Sequence, residues 1–154
     1  MVLQEETRQL EDCSIEIIAT DLNERCLAYA RDAIYGTHSI RYLTSYYREK
    51  YFVPVGDKLQ LIPLVRNLVR FTRLNLSDHA QMALMNDVDL ILCCNVLIYF
   101  DIDSKRHVIE RLYNSLLPQG YLFLGQTESL YGVNDQFRLI HFPGATAYGR
   151  ADLS

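Results

Sequence analysis

No apolar run in this sequence approaches the roughly 18 to 20 residues a membrane-spanning helix needs, and no charged-then-apolar leader opens the chain. The expectation is a cytoplasmic protein with no membrane insertion. Positive charge is also short: 15 Lys and Arg against 19 Asp and Glu give a net charge of −4, with no basic stripe to reverse it. That balance argues against nucleic acid as a partner. Cys13, Cys26, Cys93 and Cys94 form no CxxC spacing and no Cys/His ligand pattern, so they read as buried, reduced thiols of an intracellular protein. His38, His79, His107 and His141 are scattered, and no metal site is expected. A G-x-S-x-G elbow and a G-x-x-x-x-G-K-[ST] loop are both missing, which sets aside serine hydrolysis and P-loop phosphate chemistry.

What is present is an apolar fraction of 49% with 22% charged residues over 154 positions, the profile of one globular domain with a real core. The chain is organised around Val88 to Asp101, VDLILCCNVLIYFD. Its nearly continuous apolar opening reads as a strand covered on both faces, in the middle of a parallel sheet. Open α/β sheets bind ligands beyond the carboxyl ends of their strands, which puts Asn95 to Tyr99 where chemistry would be done.

In chain order, residues 1–12 suggest the tail of a helix. Ile15 to Asp21 reads as a short strand ending in a carboxylate, and Asn23 caps a helix through about Arg31, with Gly36 as its stop. A second helix is predicted over Ile40 to Phe52, its tyrosines serving as packing, ended by Pro54 and Gly56. Alternation from Lys58 predicts a small hairpin before a strand at Leu68 to Asn75. Asp103 to Leu117 is the clearest helix, with Val108, Ile109, Leu112 and Leu116 in one stripe and Pro118 to Gly120 terminating it. Tyr121 to Gly125 reads as a buried strand, and Gln136 to Phe142 with Ala145 to Arg150 as a hairpin. The order is that of an α/β fold with an antiparallel edge pair.

Four residues carry chemistry against a plainer alternative. Asp21, between a strand and a helix, is placed to accept from ribose hydroxyls or merely to cap the helix. Asn75 could meet an adenine edge or make a turn. Asn95 follows a buried run and needs partners for its amide. Tyr99 either packs in the core or presents its hydroxyl to a cleft.

The string CCNVLIYFD, the helix ending LLPQG and then YLFLGQTESL resemble the chemoreceptor glutamate methyltransferases of the CheR type, which carry CRNVLIYFD, a Pro-Gly-Gly turn and FLG-S-ES. IIATDLNERCLAYARDAIYG and FTRLNL are similar to the same family's ribose-binding strand and next strand. The resemblance implies a class I, Rossmann-like methyltransferase sheet with helices on both faces, an antiparallel edge pair and a small β-hairpin insertion at 53–66. It implies S-adenosyl-L-methionine as cofactor, S-adenosyl-L-homocysteine as product, and methyl esters formed on glutamate side chains of chemoreceptors, a step of chemotaxis signal transduction. The partner implied is the receptors' cytoplasmic helical region. The site residues implied are Asp21 at the ribose, Asn75 and Leu76 at the adenine, Cys94 and Asn95 at the cofactor, and Tyr99 as the catalytic residue.

The departures from that pattern matter too. Measured against the family, residues 1–154 read as one incomplete catalytic domain, lacking the first strand and the glycine loop, with 1–12 a residual helix. Unpaired strand edges then predict self-association. Cys94 stands where an arginine is usual, and Gln119 replaces a glycine. The segment between Phe52 and Leu59 is too short for the Gly-rich loop that docks on receptor tails. These departures give the alternative, a degenerate, non-catalytic relative kept as an interaction or signalling module.

Overall fold

A computed structural model describes residues 1–6 and 14–150, which gather into two units, Met1–Leu74 and Asn75–Ser154. Of the helix expected over 1–12, α1 (Val2–Glu5) is seen; residues 7–13, with Cys13, lie outside the described residues. Its Glu5 accepts hydrogen bonds from the Lys50 ammonium at 3.0 Å, the Tyr51 hydroxyl at 2.6 Å and the Tyr46 hydroxyl at 3.0 Å. The Lys50 and Tyr51 donors bring its carboxyl down to about 2.

In the first unit β1 (Ile17–Asp21) leads into α2 (Glu24–Asp32), whose Asn23 cap accepts from the Arg25 backbone N–H. Helix α2 lies on β1 and on β5 (Val69–Arg73), burying Leu27. It stops at Ala33, not at the expected Gly36: Ala33 is left-handed at φ 52°, buried, and its carbonyl accepts from the Leu61 N–H. Tertiary burial outweighs the strain of a left-handed alanine there. After the short β2 (Ile34–Tyr35), the helix predicted from Ile40 begins only at α3 (Ser45–Tyr51), because Thr44 caps it by accepting from Tyr47. Residues 36–43 fold as turns instead, with Ser39 N–H on the Gly36 carbonyl and Leu43 N–H on that of Ile40.

Pro54 does not end that helix; it sits inside β3 (Phe52–Val55), which forms a hairpin with β4 (Lys58–Leu61) across Gly56 at φ 60°. Proline is tolerated there because β3 is an edge strand of the sheet β2-β4-β3. The one-turn α4 (Pro63–Arg66) then feeds β5, which runs parallel to β1 from Ile17 opposite Val69 to Asp21 opposite Arg73.

The second unit opens with α5 (His79–Met82), capped by Asp78. A parallel β–α–β crossover follows: β6 (Val88–Cys93), α6 (Ile102–Ser115) and β7 (Leu116–Leu124). The hairpin of β8 (Phe137–Phe142) and β9 (Ala145–Arg150) completes the order β6-β7-β9-β8. Helix α6 starts where Asp101 accepts from Ser104 N–H at 2.8 Å. The expected Pro118 to Gly120 stop is already strand, since β7 begins at Leu116. The core of the unit joins Val108, Ile109 and Leu112 of α6 to Leu97, Leu116, Leu122 and Ala147.

One expectation fails in an instructive way. Strand β6 stands at the end of its sheet, paired only with β7 among the described residues, and Leu90 and Leu92 are 51% and 70% exposed. Those two lie opposite Tyr121 and Phe123, while Ile91 lies opposite the fully buried Leu122. Alternation puts the two sets on opposite faces. The sequence writes a strand for burial on both faces, and this unit covers one.

Candidate functional site

The backbone turns sharply where β6 ends. Cys93 is buried as expected, but Cys94 is exposed because alternation along the strand end turns it to the other side, and Cys26 on α2 is exposed too, so the expectation of buried thiols fails for both. Asn95 adopts a left-handed conformation at φ 58° before Val96 returns to φ −112°, ψ −42°. A 3₁₀ turn, Leu97–Tyr99, then leads to the Asp101 cap of α6. Asparagine tolerates the left-handed region better than other residues with a β-carbon. The reason first found for singling out Asn95 is therefore corrected: it is exposed and carries no burial penalty, and the backbone is what makes it special. Tyr99 is 83% exposed, so it is not core, and its ring leaves the turn toward solvent.

One side chain holds this turn together, and sequence reasoning assigned it no role. The Glu128 carboxylate accepts from Asn95 N–H at 2.6 Å, Leu97 N–H at 2.8 Å and Gly125 N–H at 2.9 Å. Glu128 donates its own N–H to the Gly125 carbonyl at 2.9 Å, closing the loop beyond β7. A β-carbon on Gly125 would come within 2.7 Å of Asn95 Oδ1 and 2.8 Å of Glu128 Oε2, so only glycine lets the two loops meet. A glycine just past a strand with a carboxylate three residues on was the available signal.

Partial burial pushes the Glu128 carboxyl up, but the N–H donors of Gly125, Asn95, Leu97 and Val96 outweigh it and the net shift is downward. A depressed folded value means the stabilisation is present above the ordinary carboxylate range and is lost as pH falls through the folded value. The amide resonances of Asn95, Leu97 and Gly125 are expected to stay fixed from neutral pH down past the range where a free glutamate titrates, then move together. Titration at the ordinary glutamate value would refute this reading. The titratable neighbour is Cys93, whose thiol burial, then the Glu128 charge, pushes up to about 12.

Asp21 lies at the end of β1, exposed, with Oδ1 accepting the Asn23 N–H at 2.8 Å. The helix cap proper is Asn23, so Asp21 braces the turn, and its second oxygen has no hydrogen-bond partner among the described residues. Asn75 Oδ1 accepts from Ser77 N–H at 3.0 Å, its N–H donates to Gln81 Oε1 at 3.0 Å, and the Leu76 carbonyl accepts from Arg111 at 2.9 Å. The structure thus brings Cys94, Asn95 and Tyr99 into one turn and Asn75 and Leu76 into another loop of the same unit; Asp21 belongs to the first unit. Among the described residues no cluster of His, Cys, Asp or Glu could hold a metal, and no helix is long and apolar enough to cross a membrane.

Each unit carries a parallel strand pair with a polar group at a strand's carboxyl end, the Asp21 carboxylate after β1 in the first and the left-handed Asn95 after β6 in the second, the pattern of a Rossmann-like α/β fold. Residues 1–145 match the model of the family described as CheR methyltransferase, SAM binding domain, and the chain belongs to that family. S-adenosylmethionine is accordingly its cofactor. The chain is 38% identical over 149 residues to chemotaxis protein methyltransferase 2 of Vibrio cholerae, covering 96% of this chain and 52% of that protein. It is 35% identical over 128 residues to chemotaxis protein methyltransferase 1 of Pseudomonas aeruginosa, covering 82% and 46%. It is 34% identical over 120 residues to the probable biofilm formation methyltransferase WspC of the same organism, covering 78% and 28%. The chain thus spans about half the length of the two chemotaxis relatives.

Proposed function

We propose that this chain is the cofactor-binding domain of a protein-glutamate O-methyltransferase acting in the cytoplasm on the helical region of chemoreceptors. The observation that carries the reading is the family match over residues 1–145. The residues present fit the nucleoside end of the cofactor. Asp21 offers an exposed carboxylate whose second oxygen no described residue uses, for ribose hydroxyls, and Asn75 keeps amide donors that no described residue uses. Leu76 would pack at the adenine, and Cys94 and Asn95 would line the cofactor at the end of β6.

When bound, S-adenosylmethionine supplies an electrophilic methyl group on a sulfonium. A glutamate side chain is ionised at neutral pH, with an ordinary pKa of about 4.3, so no residue of the chain has to take a proton. The chain's own task is alignment and exclusion of water. Tyr99, exposed on the 3₁₀ turn, would orient the incoming carboxylate through its hydroxyl. Tyr99→Phe is expected to keep cofactor affinity and to lower the single-turnover rate of methyl transfer in the longer protein. An unchanged rate would remove the hydroxyl from the reaction.

Calorimetry with S-adenosylhomocysteine tests the reading. Micromolar affinity supports it. No binding at millimolar concentration favours the second reading, a non-catalytic interaction module, which Cys94 recommends by leaving an exposed thiol where the family usually has a charged donor.

A further inference from the structure

We propose that Glu128 is the positioning residue of this site: its carboxylate fills an anion-binding nest formed by the Asn95–Leu97 backbone and fixes the left-handed turn that presents Asn95 and Tyr99. The inference rests on the methyltransferase reading for its functional consequence, and on geometry alone for the turn.

A left-handed residue followed by a right-handed one points successive N–H groups into a common concavity that attracts negative charge. Asn95 at φ 58° and Val96 at φ −112°, ψ −42° make such a pair. The concavity is occupied from within the chain, Asn95 N–H at 2.6 Å and Leu97 N–H at 2.8 Å both donating to Glu128. Gly125 N–H adds a third donor at 2.9 Å from the far side, so one carboxylate ties the end of β6 to the end of β7. Among the described residues Glu128 makes no ion pair, and backbone dipoles alone answer its charge.

A neutral amide cannot replace it. A glutamine at 128 has one acceptor oxygen, and its NH₂ would face an N–H that also needs an acceptor. The left-handed turn would then lose the contact that offsets its cost, and the side chains it presents would sample other directions. The same reasoning explains Gly125: any side chain there wedges the carboxylate away from the nest.

The test uses the chain as it stands, with two readouts. In Glu128→Gln the amide protons of Asn95 and Leu97 are expected to shift upfield while those of the β8–β9 hairpin stay in place. Affinity for S-adenosylhomocysteine should fall about tenfold or more, as loss of a charge-assisted hydrogen bond implies. Gly125→Ala, which opens the clasp from its other end, should give the same pair of changes and serves if the glutamine variant does not fold. In Glu128→Ala, added formate should restore the wild-type amide positions by refilling the nest. Unchanged amide shifts and unchanged affinity in Glu128→Gln would overturn the proposal. A wild-type chain with the downfield amides but no uptake of S-adenosylhomocysteine would support the clasp and overturn the methyltransferase reading instead.

Discussion

Asp21→Ala is expected to weaken binding of S-adenosylhomocysteine by about a hundredfold or more, because on the proposed reading its carboxylate accepts from two ribose hydroxyls, at roughly 1.5 to 3 kcal/mol per charged hydrogen bond. The fold should barely notice. Asp21 is exposed, the one side-chain hydrogen bond it makes among the described residues is from the Asn23 N–H at 2.8 Å, and Asn23 itself caps α2. Calorimetry and thermal unfolding on the same preparation separate the two roles. A variant that unfolds well below the wild type, alongside a wild type that takes up no cofactor, would reduce Asp21 to a structural brace.

The largest effect on stability is expected from Leu122→Ala. Leu122 is fully buried on the face of β7 that α6 covers, and truncating such a leucine costs about 2 to 5 kcal/mol. Whole domains are stable by only about 5 to 15 kcal/mol, so the second unit would be close to unfolding. Leu92→Ala on the opposite face is the control. At 70% exposure it should change denaturant midpoints little, by about 0.5 kcal/mol or less. A Leu92 effect as large as that of Leu122 would mean that this face is covered in solution. That is what self-association through the unpaired side of β6 would produce, and sedimentation at two concentrations would then show it.

Periodicity made the second unit readable. The α6 stripe Val108, Ile109 and Leu112 is the buried stripe, and the alternation at 136–150 is the β8–β9 hairpin. It misled where a local competitor or a distant contact decided the outcome. Thr44 started α3 later than its tyrosines suggested, Ala33 ended α2 before Gly36, and Pro118 was absorbed into β7. The candidate site was read by a different route. Asp21, Asn75, Leu76, Cys94, Asn95 and Tyr99 were named from strand ends and a family string, which point to positions but not to backbone conformation. Glu128 stayed hidden because its role needs two loops 33 residues apart in sequence to meet, and no local pattern records such a meeting.

The strand pairings also set an order of events during folding. Strands β8 and β9 close from Phe142 opposite Ala145, a local step. Strand β1 must find β5 with Ile17 opposite Val69, and Glu5 must find a tyrosine 46 positions away. Closing long loops costs entropy before the contacts repay it, so chains dominated by distant pairings cross their barrier slowly. Each unit therefore has a local hairpin with a fast route, β3–β4 in the first and β8–β9 in the second, and a parallel pairing that must close later, β1–β5 and β6–β7. During synthesis Asp21 and the strand that carries it wait for residues made some fifty positions afterwards.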